Sequence, residues 1–208
     1  MLFRSTPVDD PSRYGVVPIE VEPHGRVVEF VEKPPPGEAP TNWINAGPYV
    51  LEASVVDRIP AGRPVSIERR TFPEMVDDGT LWALQSHAYW IDAGTPASYL
   101  RAHLDLVDGT RGREAAVAAE AAVDAAARVE HSVVLSGATV MAGAEVTGSL
   151  LLTGAVVEAG ASVHDSIVGP RSVVRSGARV EALSVLGDGV EAAPGEGREG
   201  ARRPEQAD

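Results

Sequence analysis

A 17-residue repeat between residues 112 and 193 restricts the possible fold more than any other feature of the chain. Four columns of the repeat contain the following residues: Val129, Val146, Val163 and Val180; Val134, Leu151, Val168 and Val185; Val140, Val157 and Val174; Gly143, Gly160 and Gly177. Val117 and Val123 continue two of these columns one period earlier. Within each period the apolar residues lie five or six positions apart, which is too wide for an amphipathic helix and too sparse for an alternating strand.

This spacing predicts a parallel β-helix whose coils have three short sides, with one aliphatic residue per side pointing inward. We expect a left-handed β-helix of hexapeptide-type coils over residues 111–193. Residues 194–208 have the composition of a disordered, solvated tail. The expected buried columns contain Val129, Val134, Val140, Val146, Leu151, Val157, Val163, Val168, Val174 and Val180.

Residues 1–110 have the mixed strand and helix signals of an α/β domain. The predicted strands are "YGVVPIEV", "RVVEFVE", "WINAGPYVL" and "LWALQSHAYWID", and the opening "MLFRSTPV" also resembles a strand. Predicted helices are "ASVVDRI", a segment that opens at Ser66, and one that begins after Thr95. So few elements make only part of a Rossmann-like, doubly wound domain, and we expect this half to be incomplete.

Charge and composition exclude several classes of partner. A net charge of -12 and a pI near 4.8 argue against nucleic acid or an anionic membrane surface as the main partner. With no cysteine, neither disulfides nor thiolate metal sites can form. There is no apolar run of about eighteen residues, and the first residues lack the apolar core of a signal peptide. A protein of this composition is expected to be cytoplasmic.

Polar or glycine residues interrupt apolar runs in four short stretches of the first half. Each has a simple structural explanation, as a turn glycine, a solvated ion pair or a cap. Together they supply polyol acceptors, an ammonium group, close backbone amides and a carboxylate for a hard cation, which is the composition of a sugar-phosphate site with Mg²⁺. The stretches are "RYGVV" with Gly15, "VEKP" with Glu32 and Lys33, "INAGPY" with Asn45, Gly47 and Tyr49, and "YWIDAGTP" with Trp90 and Asp92.

Lys33 and Asp92 stand out among these residues. Lys33 is the only lysine among 18 basic residues, which indicates a position where a compact ammonium is needed and a planar guanidinium is unsuitable. Asp92 is expected to end a strand just before a helix capped by Thr95, which is where open α/β sheets place their ligands.

The motifs "DDPSRYGVV", "VVEFVEKP", "INAGPYVLE", "SIERRTFPEM" and "YWIDAGTPASYL", followed by hexapeptide-type coils, resemble the nucleotide-sugar pyrophosphorylases, and most of all the bacterial mannose-1-phosphate guanylyltransferases. The resemblance implies a nucleotidyltransferase in which a sugar 1-phosphate attacks the α-phosphorus of a nucleoside triphosphate. The products would be pyrophosphate and an NDP-sugar, with GTP and GDP-mannose favoured. The coils would also offer a surface for forming a homo-oligomer.

The resemblance also implies roles for single residues. Lys33 would hold the sugar phosphate and act in catalysis together with Asp92, which would be one of two carboxylates that bind Mg²⁺. Glu32 would accept hydrogen bonds from sugar hydroxyls. The other residues would line the sugar pocket, with Trp90 closing one wall: Gly15, Asn45, Gly47, Tyr49 and Trp90.

The family's glycine-rich activating loop, of the form GGxGTRL, does not occur in these 208 residues, nor does its second metal-binding aspartate. We therefore expect a fragment that carries the sugar half of the active site and is inactive alone. A non-catalytic, sugar-phosphate-binding or regulatory subunit is one alternative. A hexapeptide acyltransferase with His131 or His164 as general base is another, but it leaves residues 1–110 unexplained.

Overall fold

The computed structural model describes residues 1–21, 24–110, 114–195, 200 and 202–203. The chain divides into two compact units, Met1–Trp90 and Ile91–Asp208. The sequence places the boundary at residue 110 instead. The difference arises from the helix that follows Thr95, because its apolar side packs on the coils of the second unit.

The first unit is an α/β unit built on a six-stranded sheet with the order β3-β6-β1-β5-β2-β4. Strands β1 and β6 are parallel, and the other neighbouring strands are antiparallel. The strands are β1 Leu2–Pro7, β2 Gly15–Val16, β3 His24–Arg26, β4 Val31–Glu32, β5 Trp43–Val50 and β6 Trp82–Gln85.

Short helices cover one side of this unit. The segment predicted to open at Ser66 is helical, and the Ser66 hydroxyl accepts a hydrogen bond from the Arg69 amide at 3.3 Å, as a helix cap does. The predicted helix "ASVVDRI" forms as a 3₁₀ helix. The helices are the 3₁₀ turns Pro11–Arg13 and Ala53–Arg58, the π turn Ile67–Thr71 and α1 Phe72–Asp77.

An aromatic cluster fills the core between sheet and helices. The Phe72 ring lies 6.3 Å from the ring of Phe3, 5.3 Å from that of Phe30 and 5.4 Å from that of Tyr49, centroid to centroid. Phe3 and Phe72 are almost completely buried. Tyr49 is therefore held by apolar packing on one side of its ring, which fixes where its hydroxyl can lie.

The prediction of one strand over "LWALQSHAYWID" is wrong beyond its first residues, because β6 ends at Gln85. The Ser86 amide still donates to the Ser5 carbonyl at 3.0 Å. Further along, β1 reaches Pro7, which has no amide hydrogen to continue the ladder. The Arg4 guanidinium instead binds the carbonyls of Ala88 and Tyr89. Asp92 consequently lies in irregular backbone and not at a strand end.

The strands predicted over "YGVVPIEV" and "RVVEFVE" are also shorter than expected. They form as β2 and β4, with an isolated bridge between Ile19 and Val27. Pro18 separates β2 from this bridge, and its lack of an amide hydrogen prevents a continuous ladder.

The second unit contains a parallel β-helix of about four turns, which confirms the architecture predicted from the 17-residue repeat; its left-handed sense stays a prediction. Three parallel sheets form its faces. Face 1 contains Ala122–Val123, Thr139–Val140, Val156–Val157, Val173–Val174 and Glu191–Ala192; face 2 contains Arg128–Glu130, Glu145–Thr147, Ser162–His164 and Arg179–Val180; face 3 contains Val133–Val134, Leu150–Leu151, Ile167–Val168, Val185–Leu186 and Arg202–Arg203.

The ten residues predicted to be buried in the columns are buried, with one partial exception, whereas Val117 and Val123, which extend two columns by one period, are exposed. Val129, in the first of the face 2 strands, is half-buried and packs against the core, and the nine other predicted residues are buried. Residues 111–113 of the predicted β-helix lie outside the described residues, as do 196–199, 201 and 204–208 of the predicted tail.

The prediction that Val185 continues the column of Val168 is wrong by one residue. Val168 pairs with Leu186, which is the buried residue, and Val185 pairs with Ile167. Earlier coils turn this corner with one residue of positive φ, such as His131 or Asp165. The last corner uses two, Ala182 and Leu183, with φ of 54° and 59°, so the repeat gains one residue.

The longest helix of the described residues, α2 (Pro96–Val107), lies on the outside of face 3. The Thr95 hydroxyl accepts from the Ser98 amide at 3.2 Å, which confirms the predicted cap. Leu100 and Leu104 pack against face 3 at Val133, Leu150 and Ile167. None of the helices in the described parts of the chain is long and apolar enough to cross a membrane.

A ladder of buried serines stabilises the corner between faces 2 and 3. The Ser149 amide donates to the Ser132 hydroxyl, and the Ser166 amide donates to the Ser149 hydroxyl, both at 3.1 Å. Each hydroxyl in turn donates to the carbonyl two residues earlier in the chain, at 2.7–2.8 Å. The ladder therefore provides partners for backbone amides that are buried at this corner.

We predict that Ser149→Ala lowers the free energy of unfolding by about 1–3 kcal/mol, because the substitution leaves the Ser166 amide buried without its acceptor and removes one of the two hydrogen bonds to the Thr147 carbonyl. Urea unfolding followed by circular dichroism measures the change. Ser136→Ala, at an exposed turn of the same β-helix, is the control and should change the unfolding free energy by less than about 0.5 kcal/mol. Equal effects of the two substitutions would contradict a stabilising role of the ladder.

Candidate functional site

The pairing of β2 with β4 places Gly15 opposite Glu32. A Cβ atom at position 15 would lie 2.6 Å from the Phe30 ring and 3.2 Å from Glu32 Oε2. No side chain fits there without displacing the ring. Gly15 therefore allows the Glu32 carboxylate to lie directly against the backbone of β2.

The Glu32 carboxylate is partly buried and lacks a full set of hydrogen bonds. Its side chain is 16% exposed, and Oε1 lies 3.9 Å from Lys33 Nζ. Oε2 is buried and has no hydrogen-bond partner among the described residues. Burial raises the pKa of Glu32, nearby Glu68 raises the pKa further, and Lys33 and Arg69 oppose both effects. An unpaired buried oxygen of this kind is an unsatisfied acceptor, which a ligand hydroxyl that reached it would satisfy.

Lys33 has an unusual backbone conformation with φ of 52°, which no other non-glycine residue of the described part of the first unit shares. Its amide donates to the Tyr14 carbonyl at 3.0 Å, and its side chain is 59% exposed. A non-glycine residue in the left-handed region is strained, and such residues are concentrated at functional sites. The ammonium thus lies beside Glu32 and remains open to an anion.

A bulge in β5 brings Asn45 and Tyr49 together. Phe3 pairs with Tyr49 and Ser5 pairs with Asn45, so four steps along β5 match only two along β1. Gly47 lies in the bulge with φ of 91°. In a regular strand, residues four apart are separated by about 13 Å. The bulge shortens this separation and lets Asn45 Nδ2 donate to the Tyr49 hydroxyl at 2.7 Å.

Glu68 completes this polar group and was not identified from the sequence. Asn45 Nδ2 also donates to Glu68 Oε1 at 3.4 Å, and the Gly47 amide donates to Asn45 Oδ1 at 3.1 Å. The "SIERR" motif places Glu68 in the first turn after the Ser66 cap. From the sequence, this motif predicts only the start of a helix. Burial raises the pKa of Tyr49; the hydrogen bond from Asn45 lowers it, and the charges of Glu68 and Glu32 raise it.

Trp90 is fixed against the same bulge. Its indole nitrogen donates to the Ala46 carbonyl at 2.9 Å. The edge of its ring system meets the Tyr14 ring at a centroid distance of 5.7 Å. The first unit thus groups Glu32, Lys33 and Glu68 with the polar residues of β5, and it attaches Trp90 to the bulge.

Asp92 belongs to the second unit. It is exposed, and its Oδ1 accepts from the Gly94 amide at 3.0 Å, which closes a short turn. No group of three or more His, Cys, Asp or Glu residues in the described ranges is arranged to hold a metal ion. A single exposed carboxylate suits Mg²⁺ only when substrate phosphates supply further oxygen ligands.

The two histidines considered as general bases lie on the surface of the second unit. His131 Nε2 is 2.9 Å from Asp108 Oδ2, and the His131 side chain is half exposed. His164 ends the third strand of face 2 and is partly exposed.

Two family models match the chain, and they agree with its architecture: a sheet that brings carboxylates, an amide and an ammonium together, followed by a parallel β-helix. The nucleotidyl transferase family model matches residues 1–109, and the model described as GMPPB C-terminal domain matches residues 112–195. The chain belongs to the nucleotidyl transferase family.

Curated relatives are named as mannose-1-phosphate guanylyltransferases. The chain is 46% identical to such a protein of Mycobacterium tuberculosis over 104 residues, which cover 49% of this chain and 28% of the relative. It is 45% identical to the beta-B protein of Xenopus laevis over 95 residues, covering 46% and 25%. Mannose-1-phosphate guanylyltransferase 1 of Arabidopsis thaliana is 48% identical over 103 residues, covering 48% and 27%. The chain thus spans about a quarter of the length of these relatives.

We predict that Glu32→Gln raises the melting temperature at pH 7 by roughly 2–4 °C, because it removes the charge of a partly buried carboxylate that has one unpaired oxygen. The raised pKa means that the folded state binds the Glu32 proton more tightly than the unfolded state. The stability that the folded state gains from this tighter proton binding is fully present below the ordinary pKa of 4.5. It is lost as the pH rises through the folded-state pKa. The difference between variant and parent should therefore shrink towards zero near pH 4.

Differential scanning calorimetry across pH 4–7 measures this difference, with exposed Glu38→Gln as the control that should not change the melting temperature. A variant that is less stable than the parent at pH 7 would show instead that Glu32 forms a stabilising ion pair.

Proposed function

We propose that this chain binds the sugar 1-phosphate in a nucleotidyltransferase that makes GDP-mannose and pyrophosphate from GTP and mannose 1-phosphate. The observation that carries the proposal is the buried, unpaired Oε2 of Glu32 beside the exposed ammonium of Lys33. The free acceptor matches a sugar hydroxyl, and the ammonium matches a phosphate. The family match and the names of the relatives supply the reaction class.

In this proposal Lys33 neutralises the sugar phosphate and Glu32 accepts a hydroxyl of the ring. Asn45 and Tyr49 present further polar atoms, and the backbones of Gly15 and Gly47 let the sugar approach the sheet closely because neither carries a side chain. Trp90, fixed to Ala46, forms an apolar wall. Buried polar groups that lose a partner when a hydroxyl is missing give strong discrimination between sugars.

The reaction forms a bond between a sugar-phosphate oxygen and the α-phosphorus of GTP and breaks the bond from that phosphorus to the leaving pyrophosphate. Lys33 contributes by holding the attacking phosphate in position and reducing its charge. Mg²⁺, when bound, neutralises charge on the phosphates. In an enzyme that also contains the nucleotide half of the site, Asp92 would supply one carboxylate ligand. Asp92→Asn would keep the acceptor for the Gly94 amide, so in that full-length enzyme we expect metal-dependent turnover to be lost at an unchanged melting temperature.

We predict that the chain binds mannose 1-phosphate in isothermal titration calorimetry, and that Lys33→Arg weakens binding by about tenfold. The variant keeps the charge but replaces a compact ammonium by a wide planar group. Arg70→Lys is the matched control, because Arg70 forms an exposed ion pair with Glu74 and should have no effect on affinity.

Absence of binding at millimolar mannose 1-phosphate, or equal affinities of Lys33→Arg and its parent, would refute the assignment of Lys33. Binding without pyrophosphate release when GTP and Mg²⁺ are added would agree with a sugar-phosphate-binding role for the chain alone. Pyrophosphate release above background would show that the chain performs the complete reaction, contrary to the expectation from its sequence.

A further inference from the structure

Both polar atoms of the Asn45 amide have hydrogen-bond partners within the protein. Its two Nδ2 hydrogens have two acceptors, the Tyr49 hydroxyl at 2.7 Å and Glu68 Oε1 at 3.4 Å. Its Oδ1 accepts from the Gly47 amide at 3.1 Å. Asn45 is also buried, so water does not replace these partners freely.

Two of these partners determine which way the amide faces. The Gly47 amide can only donate, so it requires the oxygen of Asn45 on its side. The Glu68 carboxylate, when ionised, can only accept, so it requires the nitrogen. Rotation of the amide by half a turn would place oxygen against oxygen at Glu68 and nitrogen against nitrogen at Gly47. Glu68 therefore opposes the rotated state independently of the backbone.

We propose that Glu68 is a positioning residue of the sugar pocket, which fixes the amide of Asn45 so that its oxygen is the atom offered to the ligand. This inference rests on the proposed function, because it names how one wall of that site is oriented. Oδ1 keeps one lone pair beyond its bond to Gly47, whereas both Nδ2 hydrogens are used. Asn45 thus acts as an acceptor of a sugar hydroxyl and not as a donor.

The same arrangement orients Tyr49. Because the Tyr49 oxygen accepts the Asn45 hydrogen, its own O–H is directed away from Asn45 and can donate to another acceptor. Tyr49 is therefore available as a donor beside the acceptor Oδ1. A donor and an acceptor held side by side match a sugar hydroxyl, which can accept and donate at the same time. Loss of the Glu68 acceptor leaves the Gly47 amide as the only group that selects this orientation, and therefore weakens the polarity of the site.

The structural part of the proposal is tested on the free chain by NMR. The sequence has two asparagines and two glutamines, Asn42, Asn45, Gln85 and Gln206, so the side-chain amide signals can be assigned with single substitutions. In the parent chain, the Nδ2 hydrogens of Asn45 should exchange with solvent more slowly than those of Asn42. Glu68→Ala should accelerate exchange at Asn45 by about tenfold. Glu74→Gln, on the adjacent helix in an exposed ion pair, should not.

The functional part is tested by calorimetric titration with mannose 1-phosphate and with inorganic phosphate. Glu68→Ala should weaken mannose 1-phosphate by about tenfold and leave inorganic phosphate unchanged. Glu68→Gln should stay within about threefold of the parent, because its Oε1 can still accept from Asn45. Since Glu68 acts through Asn45, adding Glu68→Ala to Asn45→Ala should cause no further loss.

The outcomes separate the two proposals. If the parent chain does not bind mannose 1-phosphate, the proposed function fails, while the exchange rates still decide whether Glu68 fixes Asn45. Unchanged exchange at Asn45 in Glu68→Ala overturns the positioning role. Additive losses in the double variant also overturn it, because they would mean that Glu68 contacts the sugar itself.

Discussion

The first unit depends on the double pairing of β5, which is hydrogen-bonded to β1 on one edge and to β2 on the other. The bulge within this strand brings Tyr49 back to Asn45, and its flank provides the Ala46 carbonyl that fixes Trp90. Through β2, the same strand holds the position of β4 and therefore of Glu32. The candidate site is thus a consequence of how one central strand is paired and where it departs from regular geometry.

The site combines polar groups that cost stability in the absence of a ligand. Glu32 is partly buried and has an unpaired oxygen, and Lys33 has a strained backbone. Neither feature is explained by packing alone, because an uncharged side chain or a glycine would satisfy each position at lower energy. Both are explained if a sugar hydroxyl and a phosphate complete the site. Binding of these groups stabilises the folded state and offsets the free-energy cost of the unpaired oxygen and the strained backbone.

The β-helix was largely predictable from the sequence, because each coil repeats the same spacing of valine, glycine and serine. The prediction failed at Val185, where two residues of positive φ turn the corner in place of one. One additional residue at this corner leaves the composition of the coil and the motif of the repeat almost unchanged. Local turn geometry therefore decided the register of the last coil, and no period could reveal it.

The site was only partly predictable. Short motifs identified Glu32, Lys33 and Asn45, because charged or amide side chains interrupt apolar runs there. The position of Glu68 depends on the capped turn at Ser66, and that of Asn45 depends on the β5 bulge. Glu68 and Asn45 lie 23 residues apart in sequence and meet only in the folded chain. The strand expected to end at Asp92 stops at Gln85, since Pro7 and the Arg4 side chain end its pairing.

The most direct test of this account is a crystal structure of the chain with mannose 1-phosphate. We expect a sugar hydroxyl within about 3.2 Å of Glu32 Oε2 and the phosphate within reach of Lys33 Nζ. Mannose 1-phosphate bound elsewhere on the chain, with Glu32 Oε2 still unpaired, would contradict the assignment of this site.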